Sequence, residues 1–168
     1  MMRWHANLPY SYDVVVKAFC DMEIRKQWDE GFSGLKEVME TKTEGNLTVD
    51  MMYIYIKMPF IISDRDIVQI RKTWMPYTTN PRSVLIQMKN GDHPKYPAKE
   101  KPVRVEIIIS GYYIEEVNEK LTKISSVGRF NMKFPKSLFG MMKNKGPDRV
   151  KETLDNINKG CKIVLKGK

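Results

Sequence analysis

The sequence predicts an α+β fold in which one antiparallel sheet is covered by helices, and three observations point to it. From Leu35 to Phe130 apolar and polar residues alternate with period two, in runs separated by turn clusters. No helical pattern interrupts those runs, and parallel pairing needs such crossovers, so neighbouring strands should run antiparallel. Behind them Val150, Leu154, Ile157, Cys161 and either Val164 or Leu165 recur at spacings of three and four, the mark of one long amphipathic helix. A single sheet has one apolar face to cover, and the terminal helix is what remains to cover it.

In order along the chain, Leu8-Pro9-Tyr10-Ser11 leads into a first helix, with Ser11 as N-cap and Asp13 in the first turn. Val14, Val15, Ala18, Phe19 and Met22 then recur at helical spacing. Asp21 caps a second short helix, Met22 to Trp28, which Asp29-Glu30-Gly31 ends; Trp28 reads as a core plug whose indole N–H needs an acceptor. Strands follow at 35–41 and 47–57 about the turn Glu44-Gly45-Asn46, then at 67–74, 83–89, 103–116 and 121–130. In the second strand Met52, Ile54, Ile56 and Met58 share the face expected to point inward, with Asp50 in phase, while Tyr53, Tyr55 and Lys57 lie nearer solvent. In the third, Val68 and Ile70 alternate with Gln69 and Arg71. Residues 90–102, rich in proline, read as a long polar loop. Pro135 suits the first turn of the last helical region, and Gly146-Pro147 divides that region into a short piece at 136–143 and a longer second piece.

The stretch Met58–Arg71, MPFIISDRDIVQIR, organises the rest. Pro59 ends the preceding strand, because it cannot donate to a ladder. The connection then carries Met58, Phe60, Ile61 and Ile62, although loops are normally polar. Such a loop is either covered by the protein or touches something apolar outside it. Arg65 follows at a strand start, flanked by Asp64 and Asp66.

At 168 residues the chain is expected to be one domain, 1–168, large enough for a core and a cavity. No apolar run approaches the ~20 residues of a membrane-spanning helix, and MMRWHANLPY lacks the apolar core of a secretory signal. Cys20 and Cys161 fit neither a disulfide framework nor a metal spacing, which favours a reducing, cytoplasmic setting. A net charge of +9 suits an anionic surface, nucleic acid or phospholipid, or a lysine-rich solvated face. Lysine outnumbers arginine, whereas base readout leans on arginine, so no nucleic-acid partner is expected. The histidines are His5 and His93, in no metal-ligand spacing, and no HExxH, CxxC, Walker or nucleophile-elbow pattern occurs. No metal, cofactor or enzymatic activity is expected.

The words DMEIRKQWD (Asp21–Asp29), MPFIISDRDIVQIR, PVRVEIIISGYYI (Pro102–Ile114) and FPKSL followed by the terminal helix resemble the START (steroidogenic acute regulatory-related lipid transfer) domains. The R-x-x-WD and RD-hydrophobic words are the most specific, and the resemblance runs over nearly the whole chain. It resembles the phosphatidylcholine-transfer branch, and against that pattern the family's N-terminal helix and first strands are expected to be missing. The resemblance implies a helix-grip fold, a curved antiparallel sheet wrapped on the C-terminal helix with an internal apolar tunnel for one lipid. Arg65, with Asp66, would stand at the tunnel's polar end, and Met52, Ile54, Ile56, Val68, Ile70, Val84, Ile86, Leu154 and Ile157 would line its walls. Phe60, Ile61 and Ile62, with a lid carrying Leu138 and Met142, would form the gate that docks on an anionic membrane as a peripheral contact. Choline-specific members use an aromatic cage, partly on a late strand; here that strand carries Ser125 and Ser126. The implied function is lipid binding and transfer between membranes, phospholipid favoured. The alternatives are a START-fold sensor or anchoring module without transfer, and a basic nucleic-acid-binding domain.

Overall fold

In the computed structural model, which describes residues 1–60, 62–135 and 146–167, the elements in order are β1 (Met2–Leu8), α1 (Tyr12–Cys20), α2 (Met22–Lys26), α3 (Glu30–Ser33), β2 (Leu35–Glu44), β3 (Leu47–Ile56), β4 (Arg65–Trp74), β5 (Ser83–Asn90), β6 (Val103–Arg104), β7 (Glu106–Asn118), β8 (Leu121–Asn131) and α4 (Gly146–Lys166). The strands make one sheet in the order β1-β8-β7-β5-β4-β3-β2, with antiparallel neighbours, and β6 pairs in parallel beside the start of β4. Strand β1 is an addition to the sequence reading. Its signal is the alternation of Met2, Trp4, Ala6 and Leu8 against Arg3, His5 and Asn7, and it pairs with β8 from Met2↔Gly128 to Leu8↔Thr122.

The register sorts side chains onto two faces. Asp50↔Arg71, Met52↔Gln69, Ile54↔Ile67 and Ile56↔Arg65 share the inner face of β3–β4. Val84↔Ile114 and Ile86↔Tyr112 continue it across β5–β7, and Ile114↔Ile124 reaches β8. On β3 the Met/Ile set points inward as expected, with Met52 and Ile54 buried. On β4 the expectation is corrected. Val68 and Ile70 pair with Tyr53 and Met51 and lie on the outer face, so they line no interior wall. They are covered there because the polar loop at residues 91–102, itself mostly exposed, packs Gly91 and Tyr96 back onto the sheet. Gly91 donates its N–H to the Val68 carbonyl, and Tyr96 stacks on Tyr53 with centroids 3.7 Å apart. Glu37 then holds this segment through the Lys95 ammonium at 2.7 Å and the Tyr96 hydroxyl at 2.6 Å.

The helices close the inner face. Asp21 caps α2 by accepting from the N–H groups of Glu23 and Ile24. Ser11 stands at the N-cap of α1, but its side chain makes no cap bond there. Trp28 is the expected plug, 6% exposed, with its indole N–H donating to the Ala18 carbonyl at 2.9 Å. Its ring lies against Gly160 of α4, where a Cβ would come within 2.5 Å of Trp28 Cδ1. Glycine thus lets the helix backbone rest on the indole. Ile157, Cys161 and Val164 face inward from α4, and Leu165 points to solvent.

Burial yields two apolar clusters. One joins α1, Trp28 and α4 to Val84, Ile86, Ile114 and Ile124; the other comprises Ile54, Ile67, Val105 and Ile107, with Leu35, Ile56 and Met132 packed on it.

Candidate functional site

The inner face of β3–β4 carries a line of polar side chains. Arg71 donates through Nε and Nη2 to one oxygen of Asp50, at 3.0 and 2.8 Å, and the other Asp50 oxygen accepts from Thr41 at 2.9 Å. Arg71 is 4% exposed and Asp50 2%, so this is a buried ion pair. Every second residue of β4 continues the line, and Gln69 Nε2, Arg71 Nη1 and Thr73 Oγ1 are all buried without a hydrogen-bond partner. Buried polar groups are nearly always satisfied, since an unmade bond there costs about 1–3 kcal/mol. Three such atoms stand at every second position of one strand, on its inner face.

Beside the line sits a second buried cation. Arg25, 1% exposed, donates to Asp29 at 2.9 Å and to the Phe19 carbonyl at 3.3 Å. Its guanidinium lies 4.0 Å from the Phe32 centroid and 5.6 Å from that of Tyr112, and the Arg71 guanidinium lies 5.9 Å from Phe32. Burial pushes the Cys20 thiol up, with Arg71 and Arg25 acting against that rise. Burial likewise raises the Tyr112 hydroxyl. A cleft of about 380 Å³ runs from Glu30 and Glu152 at the surface down to Phe19, Tyr112 and Ile157.

Arg65 is buried, and its donors go to backbone carbonyls: Nε to Met132 at 2.7 Å, Nη2 to Lys133 at 3.3 Å, and Nη1 to Ser63 and Asp64. It holds the end of β8 against the start of β4, with the Phe134 ring 5.0 Å from its guanidinium. Among the described residues no carboxylate makes an ion pair with it. Asp66 is a correction. As the next residue on the strand it points to the opposite face, where Arg104 clamps it at 2.8 and 3.0 Å, so it lies away from the interior. Asp64 instead fastens the loop, accepting from the Met58 N–H at 2.8 Å and from the Tyr55 hydroxyl. Val84, Ile86, Leu154 and Ile157 belong to the larger cluster, Ile54 and Ile56 to the smaller, and Met52 sits beside Gln69 between them. Phe60 is fully exposed and Ile62 half-buried, at a cleft of about 570 Å³ shared with Lys57 and Lys101. Ile61, Leu138, Met142 and the helical piece at 136–143 lie outside the described residues.

Sequence reasoning missed Arg71, Gln69, Thr73 and Arg25. One signal was available, because Asp50 stands in phase with Met52, Ile54 and Ile56, and an acid on an apolar face requires a buried partner. Among the described residues no side-chain cluster has the composition of a metal site, and no helix is long and apolar enough to cross a membrane.

A sheet gripping its terminal helix, around an interior with two apolar clusters and a polar line, defines a helix-grip fold. The sequence pattern of the START domain matches residues 1–137. START domain-containing protein 10 of Homo sapiens is 30% identical over 115 residues, which is 67% of this chain and 36% of that protein. Phosphatidylcholine transfer protein of Bos taurus is 29% identical over 94 residues, 56% of this chain and 41% of that one. The chain thus spans well under half of these relatives. Crystallographic human STARD10 superposes with a TM-score of 0.72 at 20% identity, covering 99% of this chain and 67% of that one. Human StAR-related lipid transfer protein 5 also gives 0.72, at 18% identity over 95% and 74% of the two chains. The chain belongs to the START domain family.

Proposed function

We propose that this chain binds one lipid between α4 and the sheet, a phospholipid by preference, and carries it between membranes without catalysing a reaction. The observation that carries this reading is the set of unpartnered atoms Gln69 Nε2, Arg71 Nη1 and Thr73 Oγ1, set between two apolar clusters. Such an interior offers donors to phosphate or ester oxygens and apolar walls to acyl chains, at ~0.8 kcal/mol per methylene hidden from water. Family membership and the likeness to phosphatidylcholine transfer protein support the choice of cargo. Arg65 adds positive charge near the polar end rather than a spare donor. Phe60, Ile61 and Ile62, flanked by Lys57 and Lys101, with Leu138 and Met142, form the gate and dock on the anionic leaflet. Each lysine there contributes ~1 kcal/mol. The binding is peripheral and cytoplasmic.

A second cargo class has its own support. Asp50 already neutralises Arg71, so the line presents donors with little net charge, which suits the hydroxyl or carbonyl of a neutral lipid. Mass spectrometry of lipid extracted from the purified protein, followed by liposome transfer, distinguishes the two. Because Thr73 Oγ1 and Gln69 Nε2 are unpartnered, Thr73→Val and Gln69→Leu should leave melting temperature nearly unchanged while lowering bound lipid several-fold. Unchanged lipid content in both variants would defeat the proposal.

A further inference from the structure

The outer face of the sheet, away from the helices, carries a feature that lipid binding does not use. One row of the register sets Gln87, Gly111, Val127 and Arg3 side by side, and the next sets Trp74, Leu85, Tyr113 and Ser125. Gly111 leaves the first row without a side chain at its middle. A Cβ there would come within 2.8 Å of the Ile86 carbonyl oxygen, so the sheet itself enforces the gap. The result is a notch of about 430 Å³, walled by Trp74, Leu85, Ile109, Tyr113 and Val127. Tyr77 stands edge-on to Tyr113 at 6.2 Å and extends the aromatic wall, half exposed at 50%. A soluble domain seldom leaves apolar surface of this kind uncovered without a use for it.

The rim is mainly basic. Arg3, Lys72, Lys89, Lys123 and Arg129 all project from this outer face. Among the described residues none of them takes part in an ion pair. Two acids share the face: Glu115, opposite Lys123, accepts from the Tyr113 hydroxyl at 3.0 Å, and Glu106 accepts from the Asn131 amide at 3.3 Å. Shape and charge together select the partner. A concave, apolar notch receives a protruding side chain, which a flat membrane surface does not offer. Stacked nucleobases need open ring faces, and Tyr113 is engaged by Tyr77 and lies beside Glu115.

We propose that the notch docks a short acidic segment of another protein through one bulky apolar side chain, with the rim bases taking its carboxylates. Anchoring in a pocket supplies the affinity, and the charged rim supplies rate and specificity.

The test uses the full chain and a labelled synthetic peptide of twelve residues, aspartates and glutamates about a central Trp-Leu pair, read by fluorescence anisotropy. A control peptide carries Ser-Ser in place of that pair. The expected result is at least ten-fold weaker binding of the control, and a similar loss for the Trp-Leu peptide with Ser125→Trp, which plugs the notch. Arg3→Glu with Arg129→Glu should weaken binding and flatten its salt dependence, and it serves if Ser125→Trp fails to fold. Lipid transfer should be untouched by either change, so failure here and failure of the carrier reading are separable. Equal binding of both peptides, or no effect of a folded Ser125→Trp, would overturn the proposal. So would a loss confined to phosphatidylserine vesicles with peptide binding intact, which would make this face a membrane contact.

Discussion

Replacing Arg71 by methionine tests the interior most directly. The arginine is 4% exposed and Asp50 2%, and both Arg71 donors fall on one carboxylate oxygen at 3.0 and 2.8 Å. Without the arginine Asp50 keeps only the Thr41 hydroxyl at 2.9 Å, a buried charge without a counter-charge. Breaking a buried pair from one side costs about 3–5 kcal/mol. For a domain of this size that is a fall in melting temperature on the order of 10 °C. Removing both partners, as in Arg71→Met with Asp50→Leu, leaves no orphan charge and should recover most of the loss, because an apolar replacement is often neutral or better. Urea titration followed by tryptophan fluorescence measures all three variants. Lipid content adds the decisive contrast, since the double variant should fold yet hold less lipid. An Arg71→Met loss under about 1 kcal/mol, the range of exposed pairs, would mean that the pair is solvated and that no dry polar line exists.

Further outcomes follow from particular contacts. Gly160→Ala should gain about 1 kcal/mol of helix propensity. It should lose more by driving a Cβ to 2.5 Å from an indole held by Ala18, for a net drop of ~1–2 kcal/mol in urea unfolding; a stabilised variant would show that α4 does not rest on Trp28. The Met58 N–H and Tyr55 hydroxyl hold the Asp64 carboxyl below its usual range, so this loop clasp is complete at neutral pH. It should be lost only as pH falls below the ordinary aspartate value of about 3.9. Proteolysis of the loop that rises already near pH 6 would contradict this. Burial pushes the Cys161 thiol up to about 12, so a maleimide should label it in urea and leave it untouched in the native protein.

How much of this was legible differs between elements. The six long strands after the helices and the terminal helix were readable, because alternation and 3.6-residue spacing are local properties of the chain. Asp21, Trp28 and the inward set of β3 were readable for the same reason. The inward face of β4 was not, because Ile67, Val68 and Ile70 put apolar groups on both faces, and its phase depends on the partner strand. Val68 and Ile70 are covered by Gly91 and its neighbours in the polar loop that follows β5, a contact that local alternation does not reveal. The site suffered most from this ambiguity. Arg65, flanked by acids in the sequence, bonds to the Met132 and Lys133 carbonyls just after β8, whereas Arg71 finds Asp50 twenty-one positions earlier.

By itself the sequence determined the kind and order of the long elements after β1 and the family to which they belong. Those follow from side-chain periodicity and from short words whose residues are neighbours along the backbone. The tertiary structure alone decided which buried charge pairs with which, which face of β4 is the interior, and where polar atoms are left without partners. These depend on strand register and on distant segments folding back, and a one-residue change of register would reverse every one of them.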